Sequence, residues 1–113
     1  MKNLILLFSL LFTMNIMAQS TVTTTTISVK GNCDMCKERI ENAADIKGVK
    51  NSNWNEKSKI ITVTYDSKKV TVEQIEKAIA KAGYETANEK ADSNAYNKLP
   101  SCCKYQSGDC KKK

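Results

Sequence analysis

Two hydrophobic periods alternate along this chain, and the switches between them lay out its elements. The threonine-rich stretch Thr21 to Thr26 favours extended backbone and runs into Ile27 and Val29, apolar residues in alternation, which predicts a first strand. Past Gly31 and Asn32 the period changes. Cys36, Ile40 and Ala43 or Ala44 recur at helical spacing among Lys37, Glu38, Arg39 and Glu41, predicting an amphipathic helix that closes near Lys47 and Gly48. Val49 to Trp54 reads as a weaker strand, Asn55 to Ser58 as a turn, and Ile61, Val63 and Tyr65 as a strand in strict alternation, so the two strands form a hairpin. Thr71 opens a capping box with Gln74 three residues on. Val72, Ile75, Ile79 and Ala82 then stripe one face of a second helix, and Gly83 stops it. Tyr84 to Ala87 predicts a short last strand.

This order, strand, helix, strand, strand, helix, strand, is the split βαβ arrangement of an α+β, ferredoxin-like fold: two helices on one face of a four-stranded antiparallel sheet. It occupies residues 26–88, after a threonine-rich lead-in at 19–25 and before a Cys- and Lys-containing tail at 89–113. In that tail a short helix is expected over Ser93 to Lys98, ended by Pro100. Residues 1–18 read as a cleavable signal peptide. Lys2 is the basic start, Leu4 to Phe12 is apolar apart from Ser9, and Ile16, Met17 and Ala18 end on a small residue, which would leave Gln19 first. The apolar run is about half the length a spanning helix needs, so an exported chain, periplasmic or extracellular, with no stable membrane insertion is expected. No cysteine directly follows Ala18, unlike a lipoprotein signal.

Charge narrows the function classes. The chain has 18 Lys and Arg against 12 Asp and Glu, but lysines alternate with acids and the one cluster is Lys111 to Lys113. That is the pattern of a solvated surface, and no nucleic-acid partner is expected. There is no histidine, so neither an imidazole-bound zinc site nor a Ser-His or Cys-His catalytic pair can be assembled from this chain alone. The expectation is a binding protein and not an enzyme.

The chemistry that remains is sulfur. Five cysteines in an exported chain leave at least one thiol unpaired within it. Cys33 and Cys36 fall where the first strand gives way to the first helix, about one helical turn apart, so both sulfurs can face a single ion at a helix start whose amides favour net negative charge. Two thiolates suit Cu(I) first, with Zn(II), Hg(II) or Cd(II) as alternatives; four-coordinate zinc would lack half its shell. Asp34 reads as a charge that steadies the helix start or as an oxygen ligand, and Met35 as a packed or exposed side chain or a thioether donor. In the tail, Cys102 or Cys103 pairs with Cys110 in a disulfide, or Cys102, Cys103 and Cys110 act as auxiliary sulfur ligands. Two rival readings of Cys33 and Cys36 are a thiol-disulfide redox pair and a plain structural disulfide.

Placed in order, glycine-preceded Cys33-Asp34-Met35-Cys36, then Ile40-Glu41, Gly48-Val49, Val63-Thr64-Tyr65-Asp66 and Ala82-Gly83-Tyr84, these residues resemble a heavy-metal-associated domain over about Thr26 to Ala87. That module occurs in copper chaperones, periplasmic mercury-binding proteins and the amino-terminal arms of metal-pumping ATPases. The resemblance implies a ferredoxin-like fold, metal held by Cys33 and Cys36, handover by ligand exchange to a metal-transporting ATPase or efflux component, and no catalysis. It also implies that Tyr84 shields the ion, and it fits a monomer, or a dimer bridged by metal. One departure stands out. The family usually reads Gly-Met-Thr-Cys or Gly-Met-His-Cys, whereas Gly31-Asn32-Cys33 is one residue shorter and lacks the loop methionine.

Overall fold

The computed structural model describes residues 21–106, so the expected signal segment and Cys110 lie outside the described residues. Within them run β1 (Val22–Ser28), α1 (Asp34–Ala44), β2 (Val49–Asn55), β3 (Ile60–Asp66), α2 (Val72–Lys81) and α3 (Ser93–Asn97), followed by a 3-10 turn over Ser101–Cys103.

The alternation of β3 places it at the centre of the sheet. Ile61, Val63 and Tyr65 are buried on one face while Ile60 and Thr62 are exposed on the other. β1 and β2 flank it, both antiparallel, with Ile27 opposite Ile61 and Trp54 on the same residue from the other side. The hairpin turn is organised by Asn55, whose side-chain oxygen accepts from the amides of Lys57 and Ser58 at 2.8 and 3.0 Å. Both long helices cover the buried face, α1 through Cys36, Ile40 and Ala44 and α2 through Ile75 and Ile79.

The capping box on α2 forms as its sequence predicts. Thr71 Oγ1 accepts from the Gln74 amide at 3.1 Å, and Gln74 Oε1 accepts from the Thr71 amide at 2.9 Å. α1 ends earlier than expected. Its last residue is Ala44, and Gly48 instead turns the chain into β2 at φ 98°, where a Cβ would come within 2.9 Å of Val70.

The predicted four-stranded sheet is three-stranded among the described residues, in the order β1-β3-β2. Residues 84–87 contribute a single antiparallel bridge, Val29 with Thr86, flanked by Lys30 N–H to Glu85 O at 2.9 Å and Ala87 N–H to Ser28 O at 3.1 Å. Other demands on the same backbone stop the pairing there. Thr86 N–H turns back to Glu89 O, and the buried Glu76 carboxylate on α2 accepts from Thr86 Oγ1 at 2.7 Å and from both nitrogens of Asn88 at 3.1 Å.

The tail then takes over the flank. Asp92 caps α3 by accepting from the Ala95 amide at 2.9 Å, and α3 lies so close to Gly83 that a Cβ there would meet Ala95 and Tyr96 backbone at 3.0 Å. On either side of Pro100, Leu99 and Cys103 are buried in the same core as the helices and sheet. Tyr105 reaches back, its hydroxyl donating to Gly83 O at 2.9 Å and accepting from the Glu85 amide at 3.0 Å. Tyr105 is edge-on to Tyr96 at 5.1 Å between ring centres.

Two outcomes follow from these contacts. Thr71→Ala removes a cap and should cost about 1 kcal/mol in urea unfolding with an unchanged m-value. Tyr105→Phe strips the partner from two part-buried backbone groups and should cost about 1–3 kcal/mol in the same measurement.

Candidate metal centre

Cys33 is the residue that caps α1, with extended backbone at φ −154° and ψ −178°, and its carbonyl accepts the first helical bond from Lys37 N–H at 3.0 Å. Cys36 follows on the opening turn. Its side chain points inward and is fully buried, whereas Cys33 is half-buried at the surface. The sulfurs lie 3.8 Å apart.

What holds this loop at its height is Trp54. Its ring is buried beneath the loop, and Nε1 donates to Val29 O at 3.0 Å, the residue where β1 passes into the loop. Gly31 crosses directly over the ring; a Cβ there would stand 2.9 Å from Trp54 Cζ2 and 3.0 Å from Ile40 Cδ1. The glycine before the cysteines therefore supplies room. From the other side Glu41 accepts from the Trp54 amide at 2.8 Å and from Lys37 Nζ at 2.6 Å, which fixes α1 to β2.

The third sulfur comes from the tail. Cys103, on the 3-10 turn, is fully buried, and its Sγ lies with those of Cys33 and Cys36 in a group whose atoms are all within 4.8 Å of one another. Cys102 stands further out, its Sγ 3.5 Å from Met35 Sδ and 3.9 Å from Cys103 Sγ. Its carbonyl faces the loop, accepting from Asn32 Nδ2 at 3.4 Å and from the Cys33 thiol at 3.7 Å. Cys33, Cys36, Cys102 and Cys103 are all thiols, so no disulfide forms among the described residues. The expected pairing of a tail cysteine with Cys110 lies outside them.

Asp34 is exposed and stays out of the gathered ligand atoms, in keeping with a charge at the helix start. Met35 is 47 % exposed, and its Sδ accepts from Cys102 Sγ at 3.5 Å. Tyr84 is fully buried, stacks on Tyr105 with ring centres 5.9 Å apart, and its hydroxyl makes no hydrogen bond among the described residues. The polar neighbours of that hydroxyl are thiols: burial first, then Cys103 and Cys36, push the phenol's pKa well above its ordinary value. Burial likewise pushes the Cys103 thiol up, reinforced by Cys36 and opposed by the Tyr84 phenol. The pocket thus offers sulfur and one phenol, a donor set that selects soft ions.

The sequence leaves Cys103 open between a disulfide with Cys110 and an auxiliary sulfur, and the structure gathers its sulfur with those of Cys33 and Cys36. The signal was present in Tyr96, Leu99 and Cys103, which are separated by three and four residues and all face the body of the protein. A five-residue helix and a proline between them hide that periodicity.

Comparison with known proteins places this geometry. The profile of the heavy-metal-associated domain matches residues 26–85. Among solved structures, the CopZ metallochaperone is 33 % identical with a TM-score of 0.56, covering 57 % of this chain and all of its own. Oxidised MerP from Ralstonia metallidurans is 31 % identical with a TM-score of 0.55, over 58 % of this chain and 94 % of its own. The N-terminal domain of a potential copper-translocating P-type ATPase from Bacillus subtilis, solved in its Cu(I)-loaded state, is 30 % identical with a TM-score of 0.55, over 57 % of this chain and 84 % of its own. No curated protein matches the chain. With its strand-to-helix cysteine loop and a family match over more than half its length, the chain belongs to the heavy-metal-associated domain family.

Proposed function

We propose that this protein is an exported soft-metal carrier that sequesters Cu(I) or hands it over, with Cys33 and Cys36 as ligands. The observation that carries this reading is the pair of sulfurs 3.8 Å apart across the first turn of α1, one buried and one at the surface. The buried thiolate anchors the ion. The surface thiolate is the one an incoming partner ligand can displace, so the ion passes by exchange of sulfurs with no bond to carbon made or broken. Ions of charge one bound by two thiolates carry net charge −1, which the unpaired amides at the start of α1 favour. The role is binding, without catalysis.

Copper is placed before mercury, zinc and cadmium because Cu(I) is satisfied by few sulfurs. The relatives span both branches: one is a metallochaperone, one a domain of a potential copper-translocating ATPase solved with Cu(I), and one is MerP. A metal-transporting ATPase or efflux component is the proposed partner, since one relative is itself a domain of a P-type ATPase. Among the described residues no helix is long and apolar enough to cross a membrane. Export rests on Lys2, the apolar run to Phe12 and Ala18.

Anaerobic Cu(I) titration of the reduced chain should give tight binding that Cys33→Ser, Cys36→Ser abolishes; unchanged affinity in the double variant would sink the assignment. Tight Hg(II) binding beside weak Cu(I) binding would move it to mercury. Mass spectrometry of the protein recovered from the exported fraction should give a chain starting at Gln19; an intact Met1 there would refute cleavage, and absence of the protein from that fraction would refute export.

A further inference from the structure

We propose that Cys103 is a third thiolate ligand, so that the C-terminal tail converts the two-sulfur loop into a three-sulfur holding site for the ion. This rests on the reading of Cys33 and Cys36 as metal ligands and extends it to a residue beyond the matched family region at 26–85.

Geometry makes the first case. With metal–sulfur bonds of about 2.3 Å, a linear two-sulfur ion needs its sulfurs about 4.6 Å apart and a trigonal three-sulfur ion about 4.0 Å. Cys33 and Cys36 stand at 3.8 Å, near the trigonal value, and Cys103 closes the triangle with every edge within 4.8 Å. The second case is that Cys103 is held in place by contacts that owe nothing to the sulfurs. Leu99 is anchored in the core, the Cys103 amide donates to Pro100 O at 2.8 Å, and Tyr105 is pinned by Gly83 and Glu85. The loop is tied to the tail in turn, through Asn32 to Cys102 O.

The third case is the Tyr84 hydroxyl, a buried donor with no hydrogen-bond partner among the described residues, whose polar neighbours are the thiols of Cys103 and Cys36. A thiol is a poor acceptor, so the hydroxyl stays unsatisfied; a thiolate is a good one. Metal-bound sulfur carries negative charge, which gives that hydroxyl an acceptor. Three thiolates around Cu(I) leave net charge −2, one more negative than the two-sulfur site, and this is the charge the phenol proton and the α1 amides face. A structural cysteine packed as a small hydrophobe would explain the burial of Cys103 but not its place in the sulfur triangle.

The test is X-ray absorption at the copper edge on the reduced exported chain with its tail intact, loaded anaerobically with one equivalent of Cu(I). Three sulfurs are expected in the parent, two in Cys103→Ser and three in Cys102→Ser. In competition against a Cu(I) chelator, Cys103→Ser should bind at least about tenfold more weakly, the low end of what even an outer hydrogen-bond partner contributes to a metal site. Two sulfurs in the parent would overturn the proposal without touching Cys33 and Cys36, and this outcome needs no variant to fold. Three sulfurs retained in Cys103→Ser would overturn it as well. Loss of all Cu(I) binding in the parent would remove the two-cysteine reading and this one with it.

Discussion

Cys36 is at once a core residue and a member of the sulfur cluster, and the rest of the molecule is arranged around that double placement. Its side chain is fully buried on the face of α1 that also carries Ile40 and Ala44, so the register of α1 against the sheet fixes the sulfur. A rotation of the helix by one residue would swing the thiol out by about 100° and bring a charged neighbour in. Trp54 prevents that from below, bonded to Val29 O and overlain by Gly31, and Glu41 prevents it from the side. Ligand geometry here is a property of packing, which is why the loop itself can be short.

Burial also sets the chemistry of Cys103, since a thiol taken out of water resists ionisation and this one is pushed up. Sulfur sealed in this way is ill suited to attack a substrate and well suited to wait for a soft cation that displaces its proton. Cys33 differs because it stands at the surface, where exchange can begin. The asymmetry between one anchored and one accessible sulfur gives the site a direction of approach.

Much of this was legible in the sequence, for local reasons. Thr71 and Gln74 specify a helix start by their own side chains, and Ile61, Val63 and Tyr65 specify a face by period alone, so both were readable without knowing what they pack against. Cys33 and Cys36 were readable because strand, loop and helix follow one another in the chain. Where the reading failed, a distant partner decided the outcome. Tyr84 to Ala87 has the composition of a strand, but Glu76 and Glu89 claim Thr86 and Asn88, and only one bridge survives. α1, by contrast, stops at Ala44, where the Asp45 amide turns back to Asn42 O and the Ile46 amide to Ala44 O, and not near Gly48. Cys103 did not fail in this way: the sequence left it open between a disulfide with Cys110 and an auxiliary sulfur, and its return across about seventy residues of chain, like the bond from Asn32 to Cys102, is encoded by no short-range pattern.

The Tyr105 hydroxyl carries a consequence of its own. By position, the Glu85 amide belongs to the sheet, yet its hydrogen bond is made by a side chain twenty residues further on. Its exchange with solvent deuterium therefore follows the opening of the tail and not the unfolding of β1, β2 and β3. Two amides two residues apart, Glu85 and Ala87, thus belong to different cooperative units, one closed by a phenol and the other by the backbone of Ser28.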